Sequence, residues 1–365
     1  MSRDRTPANA LRYLQLSLIC ITVAHVAGPT AKGATEMKLL EGLEHGERLT
    51  THLDCLEAAT KYLGIDITPG WLYGGTGHAF VMSLGEDLCP SGPHCWGQGP
   101  MHRLARNLPF RMGGVAGPRA TPELSEKAWD HVRAAIAQGH PCYGWHWEWV
   151  LITGFDDEGY FYSGMVEPPK DWRDFGAKAI GFVEIYSVEP AEPAPDEKTI
   201  LDSLRFAVDF ADNHGDGKHM LEGYDGGLEA YDTWIRGLEE GRTDPHGLAY
   251  HTRIWLECRT FAADFLEEAN ARTGGRYSDT LEPAARHYRD VAKSLGAVDD
   301  LLGIAVWPPT DEQKTGLRTL IDDPVRRDEA IAGVRAARAA EEAGLATLRK
   351  VIAALERSES AVSGR

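Results

Sequence analysis

Residues 189–198, EPAEPAPDEK, mark a change of composition that any fold of this chain has to respect. Proline removes backbone donors and fixes φ, and alternation with acidic residues makes a solvated connector. Before this stretch, residues 37–188 are rich in Gly, Trp, His and Cys, with short apolar runs; after it, Ala, Leu, Glu and Arg recur at helical spacing. The expectation is an α+β domain over 37–188, a Pro/Glu linker over 189–198, an all-α helical domain over 199–356 and a disordered Ser-rich tail over 357–365. A length of 365 residues suffices for two such domains.

In the first part the pattern predicts a helix over 55–63, a glycine loop over 71–77 and a strand over 78–84. A Cys/Pro/Gly loop follows over 85–100, then a helix over 122–138 opened by Thr121-Pro122. A long strand over 142–153, a turn at Asp156–Gly159, a return strand over 160–163 and a strand over 179–187 complete an antiparallel sheet. The second part reads as helices over 199–212, 224–240, 247–271, 279–295, 311–320 and 324–356. The mixed polar run 212–219 reads as an interhelical turn and does not fit a calcium loop.

The net charge of -17 argues against nucleic acid and anionic membrane surfaces as partners, since either demands a basic face. Cys20 lies in the first 36 residues. The remaining Cys55, Cys89, Cys95, Cys142 and Cys258 are an odd set, unlike a disulfide scaffold. Residues 1–36 place Arg3, Arg5 and Arg12 before the apolar run 16–27 and small residues up to Ala34. That is the order of a secretory signal peptide, which implies export. A start at Met37 is the competing reading and implies a cytoplasmic protein. The run is too short for a membrane-spanning helix, so no integral span is expected in the mature chain.

Several groups could carry chemistry. Asp54 reads as an N-cap with Glu57 at the third helical position, which puts the Cys55 thiol in the first turn. There the dipole and free N–H groups favour a thiolate, although the two carboxylates oppose it and a lone helical Cys also suits a core. Along strand 142–153, Tyr143, Trp145, Trp147 and Trp149 share one face, and His146, Glu148, Val150 and Ile152 the other. Docking the second face on helix 55–63 would pair Cys55 with His146 or with Glu148; the ordinary pKa of His146, about 6.5, suits a base. A hydrogen bond between His146 and Glu148 at a strand edge is the plainer alternative. The glycine loop 74–77 lacks a phosphate-loop Lys. Gly75 and Gly77 would allow close backbone approach and position His78 beside Cys55, or simply form a tight turn. Cys89 and Cys95 could form a disulfide if exported, join His94 and His102 around a metal, or sit in a plain surface loop.

The runs CLEAATKYLG, WLYGGTGHAF and PCYGWHWEWVLITGFDDEGYFYS, taken together, resemble the N-terminal domain of the butirosin-biosynthesis acyltransferase family, related to papain-like and bacteriocin-leader peptidases. SLRFAVDFAD, GLEAYDTWIRGLEEG and YHTRIWLECRTFAADFLEEA resemble the helical C-terminal domain that often accompanies it, so the resemblance spans roughly residues 37–300. It implies a papain-like fold and acyl transfer from a carrier-protein thioester to an amine through an acyl-enzyme, with no cofactor. Cys55 matches the nucleophile. In the family, a His-x-V-V-x-x-G-Y-D-D strand carries the base and a later Asp or Asn orients it. Here Glu148 stands at the His position, and Ser163 or Gly164 where the acid belongs.

Three expectations follow. The first is a cysteine-dependent acyltransferase or amide/thioester hydrolase, with Cys55 as nucleophile and His146 oriented by Glu148 as base. Its small-molecule or carrier-bound acyl substrate would be held by His78, Gly75, Gly77 and Trp145, with Tyr224, Trp234 and Trp255 as candidates from the helical half. The second is a non-catalytic binding protein on the same, degenerate fold. The third is a metal site formed by His78, His94, Cys89 and Cys95.

Overall fold

The computed structural model describes residues 37–178, 180–212, 219–303 and 310–363. In chain order the elements are β1 (Lys38–Leu39), α1 (Thr51–Tyr62), α2 (Pro69–Gly75), β2 (Ser83–Gly85), α3 (Gly99–Leu104), β3 (Phe110–Gly117), α4 (Pro122–Ala137), β4 (Cys142–His146), β5 (Glu148–Asp156) and β6 (Gly159–Ser163). Then come β7 (Val183–Pro190), α5 (Asp196–Asp212), β8 (Tyr224–Gly226), α6 (Gly227–Glu239), α7 (Pro245–Arg272), α8 (Ser278–Leu302), α9 (Asp311–Asp322) and α10 (Pro324–Ser363). The proposed leader and the centre of the 212–219 turn lie outside the described residues. Among the described residues, no helix is long and apolar enough to cross a membrane.

The chain divides into two compact units, but not at the Pro/Glu stretch alone. Among the described residues, the first holds those within 37–67 and 108–193, and the second those within 68–107 and 194–363. Segment 68–107, expected in the α+β part, therefore belongs to the helical unit. The connector is also shorter than 189–198, because β7 runs to Pro190 and α5 begins at Asp196.

In the first unit the sheet is antiparallel, ordered β1-β5-β4-β7-β3, with β6 on the other edge of β5. Strand 142–153 is not continuous. His146 pairs with Glu148 and Trp145 with Trp149, so the chain reverses on Trp147 alone. That residue takes φ 67°, a left-handed conformation that costs bulky L-residues free energy, and it is 60% exposed. The alternation of faces survives the reversal because paired residues point the same way, but Trp147 leaves the stripe. Helix α1 covers the face carrying Tyr143, Trp149 and Tyr186. Helix α4, capped by Thr121 with Pro122 at its first position, buries Ala128, Val132 and Ile136. β3 was not apparent in sequence, since Gly113, Gly114 and Gly117 dilute its apolar pattern.

The second unit is built on α5–α10, close to the expected helical ranges, and α10 continues past Glu356 to Ser363 instead of ending in a disordered tail. It is not wholly helical: β2 pairs antiparallel with β8. Residues 71–77, expected as a loop, form most of α2, capped by the Thr68 hydroxyl. Residues 78–80 are a 3-10 turn, and the strand expected over 78–84 shrinks to β2. The cause is Arg259, 1% exposed. Its guanidinium donates to the Ala79 and Val81 carbonyls at 2.9 and 2.8 Å, so these groups are satisfied without a ladder.

Candidate functional site

Helix α1 starts four residues earlier than its sequence suggests. Thr50 is the flanking residue and makes no side-chain cap, while the Asp54 N–H already bonds the Thr50 carbonyl at 3.0 Å. Cys55 is thus the fifth helical residue and lies past the free N–H groups of the first turn. The residues read as a capping box fasten the preceding loop instead. Glu57 accepts both Arg48 bonds, at 2.6 and 3.2 Å, and Asp54 meets His45 at 2.7 Å. Gly46 lets that loop pass, because a Cβ there would fall 2.4 Å from an Asp54 oxygen.

The thiol is wholly buried. Burial pushes its pKa well above the ordinary range, and the charges of Asp54 and Glu148 push the same way. Glu148, at the hairpin end, accepts the Thr51 hydroxyl at 2.7 Å, and Thr51 in turn accepts the Trp149 N–H at 3.3 Å. The Glu148 position is thereby brought to the start of α1.

His146 is not brought there. Its Nδ1 accepts the Gly176 N–H at 3.3 Å, its ring lies 5.6 Å from Phe175, and burial lowers its pKa. The guess that this face of the strand docks on α1 is corrected: α1 packs on the opposite face. His52 stacks on Trp149 at 4.0 Å and bonds the Tyr143 hydroxyl at 3.1 Å. Trp145 is part of that packed layer, 5.6 Å from Trp149.

The imidazole beside the thiol's neighbours is one that sequence reasoning missed. His45 has a side chain only 3% exposed, and its Nε2 has no hydrogen-bond partner among the described residues. Burial alone would lower its pKa, but the contact and charge of Asp54, with help from Glu148, leave it raised. Its backbone N–H donates to the hydroxyl of Ser163, one of the two positions where the family pattern expects an orienting acid. No periodicity links a loop histidine to Asp54, so only tertiary structure exposes the pair.

Gly75, Gly77 and His78 belong to the other unit, where each has a packing role. Gly74 and Gly77 admit close neighbours: a Cβ on Gly74 would lie 2.0 Å from the Phe265 ring, and one on Gly77 2.4 Å from Phe206. Gly77 also has φ 78°. Gly75 is buried within α2. The His78 Nδ1 faces the Cys258 thiol at 3.7 Å, and burial, aided by His94 and Arg259, brings its pKa down to about 3, so it is neutral. Trp234 and Trp255 are fully buried, and Tyr224 bonds Ser91 at 2.7 Å.

Cys89 and Cys95 are free thiols. Cys89 accepts the Ser91 hydroxyl at 3.1 Å, and burial first of all raises Cys95 to about 11. Among the described residues, no group of three or more His, Cys, Asp or Glu side chains is placed to hold a metal ion. The sequence matches no protein-family model and no curated protein.

Proposed function

We propose that the first unit is a degenerate papain-like domain and that the chain works as a non-catalytic small-molecule- or peptide-binding protein. A cysteine-bearing helix laid on an antiparallel sheet supports the fold assignment. The observation that carries the functional reading is Cys55 itself: a buried, protonated thiol beside two carboxylates is a poor nucleophile. The test is the alkylation rate of Cys55 in the full chain against pH, with Cys55→Ala as blank. Slow labelling, with no midpoint below about 8.5, is expected. Fast labelling with a lower midpoint overturns the reading.

One observation favours a second reading, a cysteine acyltransferase or amide/thioester hydrolase. The Asp54–His45 pair presents an uncommitted Nε2. In that reading His45 takes the thiol proton, the Cys55 sulfur bonds the acyl carbon, and the leaving group departs with the proton. An amine or water then displaces the sulfur, which recovers its proton. His45→Ala would then abolish fast labelling, whereas His146→Ala would not.

A further inference from the structure

The helical unit holds a cavity of about 450 Å³, within the range of small-molecule sites. One wall is a single face of α3, through Pro100, Arg103 and Leu104; the other is a single face of α5, through Asp202, Arg205, Phe206 and Asp209. Leu104 and Phe206, both less than a tenth exposed, supply an apolar floor. His219 also lines it. Its side chain is 3% exposed, its Nε2 lies 2.9 Å from Asp209, and its Nδ1 has no partner among the described residues. A buried unpaired nitrogen of this kind costs free energy until something meets it.

The charges on the walls are almost all accounted for. Asp202 takes Lys198 at 2.6 Å and the Asn107 amide at 3.0 Å; Arg205 takes Glu356 at 2.7 Å; Asp209 takes His219. Arg103 is the exception, exposed at the rim and without an ion-pair partner among the described residues. A cation with no counter-charge among the described residues, above an apolar floor, fits one ligand chemistry.

We infer that this cavity binds a small organic anion, a carboxylate or phosphate monoester whose apolar body lies on Leu104 and Phe206 and whose charge meets Arg103. The site lies outside the Cys55 region and does not depend on whether that thiol reacts.

The experiment is calorimetric titration of the full chain with benzoate, phenyl phosphate and neutral benzyl alcohol, repeated with Arg103→Glu and with Arg106→Glu, an exposed arginine outside the cavity. Saturable binding of benzoate or phenyl phosphate is expected, with the alcohol at least tenfold weaker, and the stronger of the two anions identifies carboxylate or phosphate as the preferred group. Arg103→Glu is expected to weaken anion binding at least tenfold and Arg106→Glu less than twofold. No saturation by either anion, equal binding of the alcohol, or equal losses in both variants overturns the inference. Because Cys55 labelling is a separate readout, failure here is distinguishable from failure of the proposed function.

Discussion

Asp54 and His45 meet at 2.7 Å between Oδ2 and Nδ1, with side chains 4% and 3% exposed, in the residue immediately before Cys55 and the loop that precedes its helix. Burial is the largest influence on the imidazole and pulls its pKa down, but the bond and charge of Asp54, together with the Gly46 carbonyl and the Glu148 charge, leave it raised.

Replacing Asp54 with Asn therefore reverses the direction of the shift. The His45 pKa is expected to fall below about 6.5, because burial, the largest influence, is then opposed only by the Gly46 carbonyl and the Glu148 charge. Linkage gives a second signature. In the wild type, the folded pKa lies above the unfolded one, so the stabilisation is complete below about pH 6.5 and is lost as pH rises through the folded value. Asp54→Asn inverts that slope, since a folded pKa below the unfolded one makes this contribution rise with pH. Imidazole titration by NMR checks the first point and urea unfolding at several pH values the second. An unchanged His45 titration would rule the pairing out.

Trp147 gives a prediction of the opposite kind, a substitution that does no harm. Its φ of 67° suits glycine, and its ring is 60% exposed, so little apolar burial is lost with it. Trp147→Gly is expected to leave stability unchanged or to raise it by up to about 1 kcal/mol, after the entropic cost of glycine is counted. Trp147→Val is expected to lose about 1–2 kcal/mol, because a β-branched residue tolerates that conformation least. Urea unfolding followed by tryptophan fluorescence and circular dichroism separates the two. A clear loss in the glycine variant would mean that the indole itself holds the hairpin end.

The same hairpin shows what the sequence could and could not disclose. Alternation from Tyr143 to Ile152 correctly sorts side chains to two faces, because period-two patterning survives a tight reversal. It could not show that the strand turns back at Trp147, a residue with no turn propensity, nor which face α1 covers. The amphipathic helices α5–α10 were legible for the usual reason: an apolar stripe at helical spacing needs no tertiary information. Segment 68–107 was not. Its placement depends on Gly74 against Phe265 and on Arg259 holding two carbonyls, contacts to residues far along the chain. Sequence singles out Cys55 and Glu148, and the fold brings the Glu148 carboxylate to the start of the helix that carries Cys55; the link of His45 to Asp54 exists only in the folded loop.

Glu184 is 3% exposed, and its Oε1 accepts the Tyr186 hydroxyl at 2.8 Å. Burial raises its pKa from 4.5 to about 7, with the hydroxyl offsetting part of the effect. The folded state then favours the neutral acid more than the unfolded state does, so this residue's contribution to stability declines as pH rises from about 4.5 to 7. A rise from 4.5 to about 7 corresponds to about 3 kcal/mol. Relative to Glu184→Gln, the wild type is expected to lose that amount across the interval and to stay level above it. Parallel unfolding curves for the two proteins at pH 4.5 and pH 8 would show that the carboxyl titrates normally.

The buried pair of Arg259 and Glu341, 2.6 Å apart and 1% and 4% exposed, ties α7 to α10 while the same guanidinium fixes Ala79 and Val81. Isolated buried ion pairs often contribute little net stability, because desolvation offsets attraction. Removing the arginine is different: it leaves the buried Glu341 carboxylate without its counter-charge, though the Tyr231 hydroxyl still donates to it at 3.1 Å, and takes the donor from two carbonyls. Arg259→Met is expected to cost about 3–5 kcal/mol, measured by urea unfolding at 222 nm. Arg259→Met combined with Glu341→Gln should cost less than the sum of the two single changes, because the stranded carboxylate is gone while the carbonyls remain unpaired. If Arg259→Met alone cost under about 1 kcal/mol, these carbonyls would have to find other donors, and Arg259 would not be what keeps residues 78–82 out of a strand.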